Sequence, residues 1–407
     1  MSAQTKRILS IISFLVLCGL IGFALWWVFF RVPAIVAPPV VVPPVVVKPP
    51  GGGTLPGGGG ERPVTPVTPT EAAVDTIAKG DVTKTTQLTT SAVLHPTLSG
   101  DGKSLNAYNP ADGIFYRLQP DGSITQLSPQ RFRGAQNVSW NKGGSKAVIE
   151  YPDGSNIIYD FQSQSQETLP AHWEDFAFSP VRDEVVAKSI GIDPNNRWLV
   201  IRSADGTSVS PIAALGENAN KVITAWSPND QVIGFADTAD QIGGGFGREL
   251  IIPIGKNNEN FKGLTVEGLL FEPLWAPSGK QLLYSSVGDI SENRPTLWLV
   301  DGSPSSLGEH RRTLGVNTWA DKCSFGAGDT LYCAVPKALP ANVGLQRALA
   351  DTIPDNLYRI NITTGHTELL AIPDTNTTIG NIIVSQDEST LYFQNAQTGL
   401  LETIRLK

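Results

Sequence analysis

Ala225-Trp226-Ser227-Pro228-Asn229-Asp230 and Leu274-Trp275-Ala276-Pro277-Ser278-Gly279-Lys280 are two copies of one phrase. An apolar or aromatic residue is followed by Ser, Asn or Ala, then by a turn of Pro, Gly, Asp or Asn, then by a β-rich run. The phrase recurs around Leu98, Trp140, Phe178, Phe325 and Val384. The seven anchors lie 42, 38, 48, 49, 50 and 59 residues apart. A period of this length suits four short strands per repeat, not a pair of helices.

The text between anchors follows one grammar. The anchor ends a strand A. A turn leads to strand B (Lys146–Tyr151, Gln231–Ala236, Gln281–Ser285), and a loop leads to strand C (Asn156–Phe161, Glu249–Ile254, Thr296–Val300). Strand D follows, for example Ile124–Leu127 or Val209–Ile212. Seven A, B and C strands can be read this way, but only six D strands. Thr85-Thr86-Gln87-Leu88-Thr89 reads like Ile124-Thr125-Gln126-Leu127, so the N-terminal segment is expected to complete the last blade. A ring closed like this leaves only short, protected edges. The expectation is therefore an all-β, seven-bladed β-propeller of four-stranded antiparallel blades over residues 81–407.

The aromatic-Ser-Pro-Asn/Asp-Gly phrase resembles TolB-type and WD40-like propeller repeats, most closely at Trp226–Asp230 and next at Trp275–Lys280. The resemblance spans residues 81–407. It implies that the tryptophans pack between neighbouring blades and make the fold rather than the chemistry.

Upstream of the repeats the composition changes. Ile8–Phe30 is an apolar run without a charge, preceded by Lys6 and Arg7 and carrying Trp26 and Trp27 toward its far end. As a helix it spans a hydrocarbon core of ~30 Å. The positive-inside rule places residues 1–7 in the cytoplasm and everything after Arg31 outside. A cleaved signal peptide would have a shorter apolar core and a small-x-small site, and Val32-Pro33-Ala34 is a poor one. A single-pass membrane anchor at 8–30 is expected. Residues 31–70 are rich in Pro and Gly, an extended linker with a flexible joint.

The net charge of −7 argues against nucleic-acid partners. The four histidines have no metal spacing, no H-E-x-x-H or G-x-S-x-G is present, and Gly243–Gly247 lacks the helix and Lys of a phosphate cradle. Neither a metal nor a cofactor is expected. Cys323 and Cys333 lie ten apart on facing strands of one hairpin, either bridged or as two buried thiols.

In an antiparallel four-stranded blade the B–C and D–A loops emerge on one face. Three B–C loops are long: Asp237–Arg248, Gly288–Pro295 and, longest, Pro336–Asp355. Within the last, Val343–Ala350 is expected as a short helix with Leu345 and Leu349 on one side. The candidate ligand-binding residues on this face are Arg131, Phe132, Arg133, His172, Trp173, Phe246, Arg248 and Trp319. Trp and Arg are frequent binding anchors; Trp173 and Trp319 as plugs of the channel mouth are the competing reading. The sequence thus points to a membrane-anchored extracytoplasmic binding or scaffold protein for a protein, peptide or glycan partner, not an enzyme. A propeller hydrolase, lyase or lactonase is the alternative, and inward-facing carboxylates or histidines at the channel mouth would favour it.

Overall fold

The computed structural model describes residues 16, 17, 19–21, 23, 74–242 and 247–407. Contacts divide the chain into two units, residues 1–68 and 69–407. The span expected over 8–30 and the linker over 31–70 lie outside the described residues, apart from six helical positions. Among the described residues no helix is long and apolar enough to cross a membrane.

The second unit is a ring of seven antiparallel sheets. Blades 1–7 begin with the A strands Leu94–Leu98, Asn137–Trp140, Trp173–Phe178, Val222–Thr224, Leu269–Trp275, Cys323–Phe325 and Ile379–Val384. Strand order within each blade is A-B-C-D, and A strands of successive blades touch, so the A strands form the inner wall. Alternation along strands B sends large apolar side chains into the spaces between blades. Leu105, Ile149, Ile233, Leu283, Leu331 and Leu391 are all fully buried. At about 1.5–3 kcal/mol per buried side chain, these seams are the main source of cohesion.

The repeated phrase is a turn with a cap. Ser227 Oγ accepts from the amides of Gln231 and Val232 (3.2 and 2.9 Å), and Ser385 Oγ does the same for Ser389 and Thr390 (3.1 and 3.0 Å). Gly279 in the turn of blade 5 has φ +66°, and a Cβ there would lie 3.0 Å from the Asn229 amide nitrogen in the turn of blade 4. Neighbouring turns pack too closely for a side chain. The anchor tryptophans bridge blades, as the repeat resemblance implies. Trp140 Nε1 donates to the His95 carbonyl of blade 1 (2.7 Å) and Trp275 Nε1 to the Ala225 carbonyl of blade 4 (3.3 Å).

Ring closure is as the count of strands requires. Thr86–Gln87 pairs antiparallel with Leu401–Arg405 as the fourth strand of blade 7. Leu88 N donates to Leu401 O (2.8 Å), and Leu401 N to Thr89 Oγ1 (3.0 Å). One strand goes beyond the expectation. Val82–Thr83 adds in parallel to Thr367–Pro373 as a fifth strand of blade 6, so the same segment binds two blades. Cys323 and Cys333 are directly paired across their hairpin, Cα atoms 4.1 Å apart, and are joined as a disulfide.

Two local expectations are corrected. Val343–Ala350 is helical, but as two short 3-10 segments, Val343–Leu345 and Arg347–Ala350, rather than one helix. Val343 and Ala350 point inward onto Trp319, while Leu345 and Leu349 are exposed. The Asp237–Arg248 loop is shorter than expected, because strand B of blade 4 continues to Gln241.

Candidate functional site

The B–C and D–A loops gather at one end of the ring, around the start of the A strands. Four of these starts carry a bulge, and three of the four are of one kind. In these three the register shifts between Leu94 and Thr97, Glu174 and Ala177, and Leu269 and Glu272. The residue inside each of the three is left-handed: His95 (φ 48°), Asp175 (φ 54°) and Leu270 (φ 58°). Left-handed non-glycine residues are strained and tend to cluster where function re-aims a side chain. Leu270 is 57% exposed.

This end is where exposed apolar side chains collect. Ile192 in the blade 3 B–C loop is 101% exposed and Ile290 in the blade 5 loop 83%. Leu345 and Leu349 follow in the blade 6 loop, and Ile223, Leu269 and Leu270 on the A-strand starts. Among the described residues, the turns at the opposite end offer only Val181, and Ile124 and Val209 lie on outermost strands. The blade 6 loop is held firmly. Asn342 N donates to Glu292 O (2.8 Å), Gly344 N to Asn293 O (2.9 Å) and Arg294 Nε to Leu339 O (2.7 Å). Beneath it, Trp319, Val343 and Ala350 form a small core of their own.

Charge sits beside the inner wall at the same end. Asn137 Nδ2 donates to Glu150 Oε1 (2.6 Å), with Glu174 and Asp175 of blade 3 close enough to repel it. Burial, then these like charges, push the Glu150 carboxyl above its ordinary value against the Asn137 bond. Glu272 is likewise raised, first by burial and then by Asp321. Arg347 answers both, 2.5 Å from Asp321 and 3.5 Å from Glu272, with its guanidinium 4.9 Å over the Trp319 ring. Burial also lowers His95. Deeper, Lys322 donates to both oxygens of Asp355 (2.7 and 2.8 Å), and Asp355 Oδ2 accepts from the Ile379 amide (2.6 Å). Among the described residues no group of His, Cys, Asp and Glu is arranged to hold a metal.

The residues singled out by sequence are spread around the ring rather than joined. Phe132 is 1% exposed and packs edge-on against Phe115 and Tyr159. Trp173 and Trp319 are buried too. These three rings are buried: for Phe132 this corrects the reading as a surface anchor, and for Trp173 and Trp319 it fits the competing reading as packing. Arg131 is exposed and donates to the Asp112 carbonyl (3.0 Å); Arg133 and His172 are exposed in the separate loops that lead into blades 2 and 3. Arg248 Nε donates to Glu267 Oε2 (2.7 Å). Phe246 lies outside the described residues. Sequence reasoning missed Ile192, Leu270 and Ile290. A lone aliphatic residue inside a Gly/Asp/Pro/Asn loop, as in Gly191-Ile192-Asp193-Pro194, was the available signal.

No family model matches the chain, and no curated protein matches it. Solved structures do. An oligogalacturonate lyase in complex with manganese matches with a TM-score of 0.55 at 15% identity, covering 79% of this chain and 93% of that one. The Cps50 (Swd1) beta-propeller domain of Myceliophteria thermophila matches with a TM-score of 0.54 at 12% identity, over 79% of this chain and 100% of the other. This chain is a seven-bladed β-propeller. An oligogalacturonate lyase of Vibrio parahaemolyticus, TM-score 0.53 at 12% identity over 79% and 93%, has the same fold likeness. At such identities the propeller is what is shared; its chemistry is not carried over.

Proposed function

We infer that this propeller is a recognition module for a protein partner, displayed outside a membrane by the apolar run at residues 8–30. One observation carries the reading. Exposed aliphatic side chains collect on the loop end, and the longest loop there is stapled into a firm platform. Exposed aliphatic side chains gathered at one end of a fold, rather than scattered singly, are a mark of a docking face. The repeat phrase supports kinship with TolB-like and WD40-like propellers.

The test replaces Leu270, Ile290, Leu345 and Leu349 with Ser together in the full-length protein. Crosslinked partners captured by the wild type are lost in this variant and kept by Val181→Ser, at unchanged melting temperature. Identical capture by both variants refutes the reading.

A second reading, a propeller enzyme, is favoured by Glu150 on a B strand and Glu272 on an A strand, two carboxyls at the loop end that burial raises above the ordinary value, a direction that suits proton transfer. Two of the similar folds are oligogalacturonate lyases. Turnover of oligogalacturonate to an unsaturated product, abolished in Glu150→Gln and Glu272→Gln, would establish it; no turnover by the wild type rejects that substrate.

A further inference from the structure

Between blades 4 and 5, on the loop end, lies a cavity of about 240 Å³. It exists because three loops meet there without side chains. Gly247, Gly268 and Gly288 converge: a Cβ on Gly288 would stand 3.3 Å from the Gly268 Cα, and one on Gly247 3.9 Å from it. Gly268 has φ +119°, where only glycine is at ease, and a Cβ there would meet the Val287 carbonyl at 2.5 Å.

The walls have an unusual hydrogen-bond balance. Their hydroxyls have already spent their donors on backbone carbonyls: Ser286 on Glu267 (2.7 Å), Ser291 on Arg294 (2.5 Å) and Thr313 on Leu297 (3.3 Å). Asn317 has spent its amide hydrogens on the Pro295 carbonyl and Thr296 Oγ1 (3.1 Å each), leaving Oδ1 to accept. Asp289 adds a carboxylate. What remains for a ligand is a ring of acceptors, because each of these oxygens keeps a free lone pair. Among the described residues, Nε1 of Trp298 is a buried side-chain donor without a hydrogen bond.

Charge narrows the choice. Glu267 is held between Arg248 (2.7 Å) and Arg311 (2.6 Å); with Asp289 the formal charges cancel. The Arg311 guanidinium stands 6.0 Å over the Trp298 ring, the place a ligand cation would take. Neither an anion nor a second cation is invited. The volume lies below the ~300–1,000 Å³ of pockets for drug-sized ligands.

We propose that this cavity binds one neutral sugar unit, whose several hydroxyl donors meet the acceptor-lined wall. The cavity adjoins the apolar platform at Ile290, but its hydrogen-bonding walls use none of the platform's side chains, so variants at Trp298 and Thr313 test the proposal apart from the protein-docking reading.

The test is ligand-observed saturation-transfer NMR on the full-length protein. The probes are glucose, galactose and N-acetylglucosamine, with glucuronate as the anion and choline as the cation. At least one neutral sugar binds saturably, at millimolar affinity. Trp298→Phe removes the indole donor, and Thr313→Leu fills the exposed side of the cavity without touching the core. Each weakens binding about tenfold or more, roughly 1.4 kcal/mol, with melting unchanged in Thr313→Leu. Saturation by none of the three neutral sugars overturns the proposal. So does binding that both variants leave unaltered, or a preference for glucuronate or choline.

Discussion

Replacing Asp355 with Asn exposes what the buried Lys322–Asp355 pair contributes. Both side chains are almost fully enclosed, 5% and 0% exposed, at the head of blade 6. The substitution keeps shape and still allows Ile379 N–H an acceptor, but it points an amide donor at an ammonium donor and leaves that charge uncompensated. Breaking one partner of a buried pair costs about 3–5 kcal/mol. With an unfolding entropy of about 2.1 cal/mol/K per residue over roughly 330 residues, the melting temperature falls by about 4–7 °C. Calorimetry at pH 7 reads this directly. Burial lowers the Lys322 pKa. The folded state therefore sheds that proton at lower pH than the unfolded chain. Between the lowered value and the ordinary ~10.5 the unfolded state binds more protons, so stability rises with pH. Asp355 opposes that lowering, so in Asp355→Asn the Lys322 pKa falls further and the deficit shrinks as pH climbs toward the ordinary ~10.5. The double variant Lys322→Met/Asp355→Leu recovers most of the loss, since well-packed apolar replacement of a buried pair is often neutral. A single variant melting within about 1 °C of wild type, or a double variant melting below it, refutes the reasoning.

Other outcomes follow from the same geometry. Removing the Cys323–Cys333 bridge as a double Ala variant opens a loop of ten residues and costs about 2.7 kcal/mol on the chain-entropy model, read as a lower urea midpoint; non-reducing mass analysis of the wild type finds no free thiol at either position. Leu270→Gly relieves the left-handed strain and raises stability by about 1 kcal/mol while weakening partner capture, seen by melting and crosslinking. Trp140→Ala, which strips an interblade ring and its bond to His95, lowers stability by about 3–5 kcal/mol in urea titration. Glu150→Gln flattens the pH profile of melting. The raised carboxyl takes up a proton on folding, so wild-type stability declines as pH rises from about 4.5 through the raised value, and the variant lacks that decline.

Much of the ring could be read from the chain because its signals are local and repeated. A capped turn such as Ser227–Asp230 carries its own hydrogen bonds, and Thr86-Gln87-Leu88 declares itself by matching a D strand. Val82–Thr83 was not legible: two residues pairing in parallel with blade 6 have no periodicity to show. The site resisted for another reason. Residue type alone does not say whether Phe132 or Trp173 faces water, and both face inward. Glu150 and Asp175, or Glu272 and Asp321, are neighbours only because separate blades are pressed together.

The segment that locks blades 6 and 7 is also among the first parts of the ring to be synthesised. Gln87 must wait for Glu402, more than three hundred residues later, before its strand has a mate. At about 5–20 residues per second that is roughly 15–60 s on the ribosome. For that time the growing arc carries a bare sheet edge, a hazard for sticking to other chains. The charged, Thr-rich text of Lys79–Thr90, poor in aliphatic side chains, suits a strand that has to stay solvated while it waits.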